Sequence, residues 1–198
     1  MLVFFELILI KKLIIYYIKI LILNRFIISL MNKNKIIIGT AQSDPSYGIN
    51  KSKNFLKLSQ IIKKNNFTID TAITYKNSNA FLKKLGKNYE NIINKVPFIK
   101  KNSNFERNFR QKLKKIYIHS NSKKIYAILL HDPSILFNLK SRNIIFDEIT
   151  DLKKRKLLKK FGVSVYSVHE LKKILTIFTP EIIQLPINII NQSFLKKK

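Results

Sequence analysis

A chain of 198 residues is long enough for one sizeable domain and short for two. It has no cysteine, which excludes disulfides, thiolate metal sites and thiol nucleophiles and fits a reducing, cytoplasmic setting; its three histidines, His119, His131 and His169, include no pair at the i, i+4 spacing of a helical metal site. The net charge of +27 is mostly lysine spread along the whole chain beside heavy use of Ile, Asn, Phe and Tyr, the mark of A+T-rich codons, so a specific nucleic-acid partner is not expected, although salt-sensitive adsorption to polyanions is.

Residues 1–30 are dense in Leu, Ile and Phe, with charges only at Glu6, Lys11, Lys12, Lys19 and Arg25. No uninterrupted apolar run there approaches the roughly 20 residues a bilayer span needs, and the basic start and small-residue cleavage site of a signal peptide are missing. Two readings stand: upstream sequence translated ahead of a true start at Met31, or an apolar helix that anchors the chain at a membrane surface. The domain proper is then 31–198.

From Lys35 onward short β-prone runs alternate with helical stretches. Strands are expected at Lys35 to Ile38, Phe67 to Asp70, Asn91 to Val96, Tyr126 to His131, Phe161 to Val165 and Ile182 to Leu185. A helix is expected over Ser52 to Asn65, where Phe55, Leu58, Ile61 and Ile62 recur at helical spacing and Ser52 can cap the start. Another covers Ser78 to Leu85, with Phe81, Leu82 and Leu85 on one face and Gly86 as its stop. Further helices are expected at Phe105 to Ile118, Ile144 to Leu158 and Val168 to Phe178.

Short apolar strands separated by helices pair in parallel, because each crossover needs a helix to return the chain. Either a doubly wound sheet or a (β/α) barrel fits that alternation. The barrel is favoured on two grounds. The chain has only four glycines, so no glycine-rich phosphate loop can be drawn, and polar residues recur at the C-terminal ends of successive runs, where barrel active sites lie. The fold expected is α/β: an incomplete (β/α)8 TIM barrel of about six parallel strands, preceded by an apolar N-terminal helix.

The strand ends carry chemistry. Asp70 closes one apolar run and Tyr75 follows it by five residues; Lys95 lies in the third run and His131 ends the fourth. Asp, Tyr, Lys and His in that order are the parts of a proton-donating reductase site. Singly, each has a plainer reading as a helix cap, a half-buried core phenol or a solvated charge. Four such coincidences at three successive strand ends outweigh that reading. His119 and His169 lack this context and are read as surface or interface residues, and Lys153-Lys154-Arg155-Lys156 as a solvated helix end.

The motifs Gly39-Thr40-Ala41-Gln42 with Tyr47-Gly48-Ile49, Ile69-Asp70-Thr71-Ala72 with Tyr75 and Asn77-Ser78, Leu130-His131-Asp132-Pro133-Ser134, Gly162-Val163-Ser164-Val165-Tyr166-Ser167 and Ile183-Gln184-Leu185-Pro186-Ile187-Asn188 follow in an order that resembles the aldo/keto reductase superfamily, particularly its short bacterial branch. The resemblance implies NADPH-dependent reduction of a small-molecule carbonyl, an aldehyde, ketone or sugar-derived compound, with NADH as the alternative cofactor. It implies Tyr75 as general acid, Lys95 as the cation that stabilises its phenolate, Asp70 as the partner holding Lys95, and His131 as the group orienting the substrate oxygen. It also implies cofactor contacts at Ser164, Gln184 and, more loosely, Asn188, with Gly39, Thr40 and Tyr47 at the rim. No metal is implied.

Three positions depart from the family pattern: Lys76 and Asn79 stand where glycine and glutamate are usual, and Lys156 stands where a glycine usually ends the helix before the fifth strand. Relatives continue through a seventh and eighth strand that clamp the cofactor, so a truncated member is expected, with unpaired edges, self-association and a loosely packed C-terminal third. The alternatives are a non-catalytic fragment or binding module and, behind it, a membrane-surface protein combining residues 1–30 with the basic charge.

Overall fold

The computed structural model describes residues 36–41, 55–87, 89–100, 102–188 and 190–195. The N-terminal segment 1–30, the positions Gln42, Tyr47, Gly48 and Ile49, and the Ser52 cap fall outside the described residues. The six strands are β1 (Ile37–Gly39), β2 (Thr68–Asp70), β3 (Ile92–Val96), β4 (Ile125–Leu130), β5 (Leu158–Ser164) and β6 (Ile182–Gln184). They pair in parallel and in sequence order. Among the described residues five helices connect them: α1 (Phe55–Asn65), α2 (Ser78–Leu85), α3 (Phe105–Ser120), α4 (Leu139–Lys154) and α5 (Val168–Leu175), with a short 3-10 helix over Pro133–Phe137.

The sheet curls. In a flat sheet β2 and β6, four strand spacings apart, would lie about 19 Å from each other. Here the Gln184 side-chain amide donates to Asp70 Oδ2 at 3.1 Å. The sheet is therefore an open barrel of six strands, with helices outside. Alternation along the strands sorts the two faces. Ile69, Ile92, Val96, Ile128, Leu130, Phe161 and Val163 pack outward with Phe81, Leu82, Phe109, Ile116 and Ile145 of the helices. Ile93, Ala127 and Leu129 form a separate inner cluster with Tyr126 and Ile182 against it. That apolar floor lies inside the curve, beneath the polar side chains at the C-terminal strand ends.

The expected helix of residues 78–85 is found in full, with Ser78, Phe81, Leu82 and Leu85 buried and Gly86 at φ 87° ending it. Other elements differ in physically legible ways. In α1 Ile62 of the expected apolar face is buried together with Ser59, while Leu58 and Ile61 are exposed; the inward line runs through 59 and 62, offset from the one the apolar residues suggest. Helix α4 begins five residues earlier than expected because Asn138 caps it, accepting from the Ser141 amide at 2.9 Å. It also ends four residues earlier, where Lys156 adopts φ 56°, so that Leu158 opens β5 instead of closing the helix. Helix α5 stops three residues short of Phe178, which turns inward and stacks on Phe161 and against Phe146, with ring centroids 5.9 and 5.3 Å apart.

Candidate active site

The C-terminal ends of β2, β3 and β6 converge on one ion pair. Lys95 is the fourth residue of β3 and points into the barrel, where its ammonium donates to Asp70 Oδ1 at 2.5 Å and to the Thr71 carbonyl at 3.3 Å. Only 3% of the Lys95 side chain and 15% of the Asp70 side chain reach solvent. The other Asp70 oxygen accepts from Gln184, so both carboxylate oxygens are occupied. Two charges taken this far from water are held at a large desolvation cost that the Coulomb attraction and these extra hydrogen bonds must offset.

Tyr75 sits in the turn after β2, half-buried, with the Lys95 ammonium 5.7 Å from the centre of its ring. The phenol and the ammonium are therefore neighbours, one on a loop and one on a strand. His131 follows β4, its amide donating to the Val96 carbonyl at 2.9 Å, and its Nε2 lies 3.2 Å from the hydroxyl of Tyr166. Burial pushes the His131 pKa below the ordinary histidine value and the Lys95 charge pushes it further, against the opposing pull of Asp70 and Asp132. The imidazole is accordingly neutral at pH 7 and feels the ion pair next to it.

The residues expected at a cofactor divide into two groups. Gln184 joins the central cluster, and Ser164, buried, is its register partner on β5. Gln184 Oε1 is buried without a hydrogen-bond partner, the one such side-chain atom among the described residues. Asn188 lies on the loop after β6 and spends its side-chain oxygen on the amides of Ile190 and Asn191 at 2.9 and 2.7 Å. Thr40 is buried and donates to the Thr71 hydroxyl at 2.7 Å, while Gly39 pairs with Asp70 in the β1–β2 ladder.

Two residues of the site region are not read from the sequence. Tyr166, 59% exposed, is the His131 partner. His119, expected at the surface, is instead buried, its ring between Ser78 Oγ (2.8 Å) and the Asn94 amide (3.1 Å). Burial lowers its pKa to about 4. A signal for it exists: counting in helical steps from Phe109 through Leu113 and Ile116 places 119 and 120 on the inward face of α3.

Among the described residues no cluster of three His, Asp or Glu side chains could hold a metal, and no helix is long and apolar enough to cross a membrane. No family model and no curated protein matches the chain. Solved structures do. A protein assigned as an aldo-keto reductase from Pseudomonas aeruginosa aligns over 79% of this chain at 18% identity with a TM-score of 0.57. The aldo-keto reductase of the silkworm Bombyx mori aligns over 77% at 20% identity and 0.56, and the glycerol dehydrogenase of Gluconobacter oxydans over 80% at 18% and 0.55. This chain spans 64%, 51% and 53% of those three proteins respectively. At such identities the likeness is one of fold: the six parallel strands and the helices between them share the barrel fold of these proteins.

Proposed function

We propose that the chain supplies the proton-donating half of a nicotinamide-dependent carbonyl reductase of the aldo/keto type, with Tyr75 as general acid. The observation that carries the reading is the Asp70–Lys95 pair, nearly dry and lying beside the Tyr75 ring. A free phenol titrates near 10, so at neutral pH it gives up a proton readily only when a neighbouring cation stabilises the phenolate. Lys95 is that cation, and Asp70 fixes its position through one oxygen while Gln184 fixes Asp70 through the other. His131, neutral and half-buried, donates a hydrogen bond to the substrate oxygen; the Tyr166 hydroxyl competes for the same nitrogen.

The residues present suit a nicotinamide group. The unpartnered Gln184 Oε1 is an acceptor for a carboxamide NH2, and Ser164 stands next to it in the ladder. Leaving a buried acceptor unpaired costs about 1–3 kcal/mol, a cost that a ligand donor would remove. When bound, such a cofactor supplies the hydride; this chain orients the carbonyl and delivers the proton. NADPH is the form proposed.

The test is NADPH oxidation with a panel of aldehydes, including sugar-derived ones, by the wild type and by Tyr75→Phe. Loss of a positioned general acid costs about 10²- to 10⁴-fold, so the variant is expected to lose at least about a hundredfold in kcat. Equal rates in the two proteins reject Tyr75 as the acid. Fluorescence titration with NADPH reads the cofactor fit separately, and Gln184→Leu, which removes both the free acceptor and the hydrogen bond to Asp70, is expected to weaken binding.

A further inference from the structure

The chemistry assigned to Tyr75 and Lys95 leaves a buried polar group unused on the other face of β3. Asn94 precedes Lys95, is fully buried, and points outward to α3. Its side-chain oxygen accepts from the Lys95 amide at 2.8 Å, which fixes the amide orientation. Its NH2 must then be the donor to Ser120 Oγ at 3.0 Å and to His119 Nδ1 at 3.1 Å. An accepting Nδ1 leaves the ring proton on Nε2, which donates to Ser78 Oγ at 2.8 Å. The Ser78 hydroxyl proton goes to the Tyr75 carbonyl at 2.7 Å. Every bond in this sequence has a defined direction, and its two ends are the residue before Lys95 and Tyr75 itself.

We infer that His119, neutral and protonated on Nε2, is a positioning residue that sets the Tyr75 loop against the strand carrying Lys95. The need for such a strut follows from where the pair sits. Lys95 lies in a strand buried along its whole length, whereas Tyr75 lies in a turn that passes through the left-handed residue Asn77, φ 63°. The main-chain bonds around that turn are longer than the serine contact: Tyr75 N to Ala72 O is 3.1 Å and Ser78 N to Tyr75 O is 3.4 Å. A displacement of about 1 Å between reacting groups can cost a hundredfold in rate. Because burial lowers the His119 pKa to about 4, the relay keeps its direction through neutral and mildly acidic pH; a second ring proton would face the Asn94 NH2, donor against donor. The inference deepens the reading of Tyr75 and Lys95 as the proton-delivering pair, and its consequence for rate rests on that reading.

Two substitutions separate positioning from packing. In His119→Gln the side-chain nitrogen reaches the place of Nε2 and can still donate to Ser78. In His119→Asn the shorter side chain reaches only the place of Nδ1, satisfies Asn94 and leaves Ser78 unheld. The readout in the full 198-residue chain is the nuclear Overhauser contact between the Lys95 ε-methylene and the Tyr75 ring, together with the ring nitrogen shifts of His119, which should report the Nε2-protonated tautomer. The expected result is that His119→Gln keeps the Lys95–Tyr75 contact and His119→Asn loses it with an unchanged circular dichroism spectrum. Where the wild type turns over, kcat should fall about tenfold or more in His119→Asn with KM little changed. A folded His119→Asn that keeps the contact overturns the inference, as does the Nδ1-protonated tautomer in the wild type. Should His119→Asn fail to fold, Ser78→Ala removes the last link alone and is read the same way. A wild type without turnover counts against the reductase reading, while the contact measurement still decides the relay.

Discussion

The middle and the flanks of this sheet are built differently. β3, β4 and β5 have five, six and seven residues, and every side chain of β3 is buried. β1, β2 and β6 have three residues each and are partly exposed. The middle strands are held by the apolar contacts of α3 and α4 on one face and by the Ile93–Ala127–Leu129 floor on the other. The flanks depend more on what happens at the mouth of the barrel, where Asp70 of β2 meets Lys95 of β3 and Gln184 of β6. In this arrangement the candidate site is also a clasp: the polar cluster that would do the chemistry is what links the short strand β2 on one side to the short strand β6 on the other.

The largest expected effect comes from unfastening one flank. A Cβ at Gly162 would lie 1.9 Å from the Ile182 carbonyl oxygen and 2.8 Å from its carbon, and both are backbone atoms that cannot swing aside. Gly162→Ala must therefore push β6 off β5, costing more than about 3 kcal/mol. Amide exchange should accelerate at Val163 and Ile183 and remain slow at Ile93 and Leu129. Uniform loss of protection across all strands would show that middle and flank unfold as one unit and that the distinction drawn here is wrong.

How far these features could be read from the sequence follows the same division. The apolar runs that become β3 and β4 and the inward stripe of α2 are visible because each satisfies one period cleanly. The ends of α4 and β5 are not, since Leu157 and Leu158 fit a helix face as well as a strand, and the deciding fact is the left-handed turn at Lys156, a residue type that does not advertise one. The same holds for the site. Asp70 and Lys95 can be picked out by type and position, and Gln184 by the family resemblance, yet their convergence depends on curl, which brings side chains of strands far apart in the sheet within 3.1 Å of each other. His119 is missed because the absence of a chemical motif around it suggests the surface, whereas helical phase places it inside.

Acid probes the wall between middle and flank. The partners of His119 are a hydroxyl and an amide, neither of which stabilises a charged imidazole. Its folded-state pKa of about 4 lies below the ordinary 6.5. Above pH 6.5 the ring is neutral in both folded and unfolded chains, and the full stability is present. As the pH falls from 6.5 toward 4 the unfolded chain takes up a proton that the folded chain refuses, so stability is lost; below 4 the loss levels off at about 3 kcal/mol. Urea denaturation of wild type and His119→Gln at several pH values isolates this from the carboxylates. The wild type should lose about 3 kcal/mol more than the variant over that window, and parallel profiles would mean that His119 is open to water in solution.

The smallest effect sharpens the boundary where α4 hands over to β5. Lys156 holds φ 56°, its amide donating to the Lys153 carbonyl at 2.9 Å, and its side chain is exposed. A lysine Cβ in the left-handed region crowds the following carbonyl, at about 1–2 kcal/mol, whereas glycine adopts it freely but loses more backbone entropy on folding. The balance should favour Lys156→Gly by about 0.5–1 kcal/mol, raising the thermal midpoint by a few degrees. The direction matters more than the size. Since Lys156 lies next to the turn that starts β5 and remote from the Asp70–Gln184 clasp, the gain should appear in exchange protection of the first β5 amides and leave β6 unchanged. A stabilisation that also tightens β6 would mean that the flank takes its order from the middle of the sheet, and that the polar cluster at the mouth is a consequence of the curl and not what holds it.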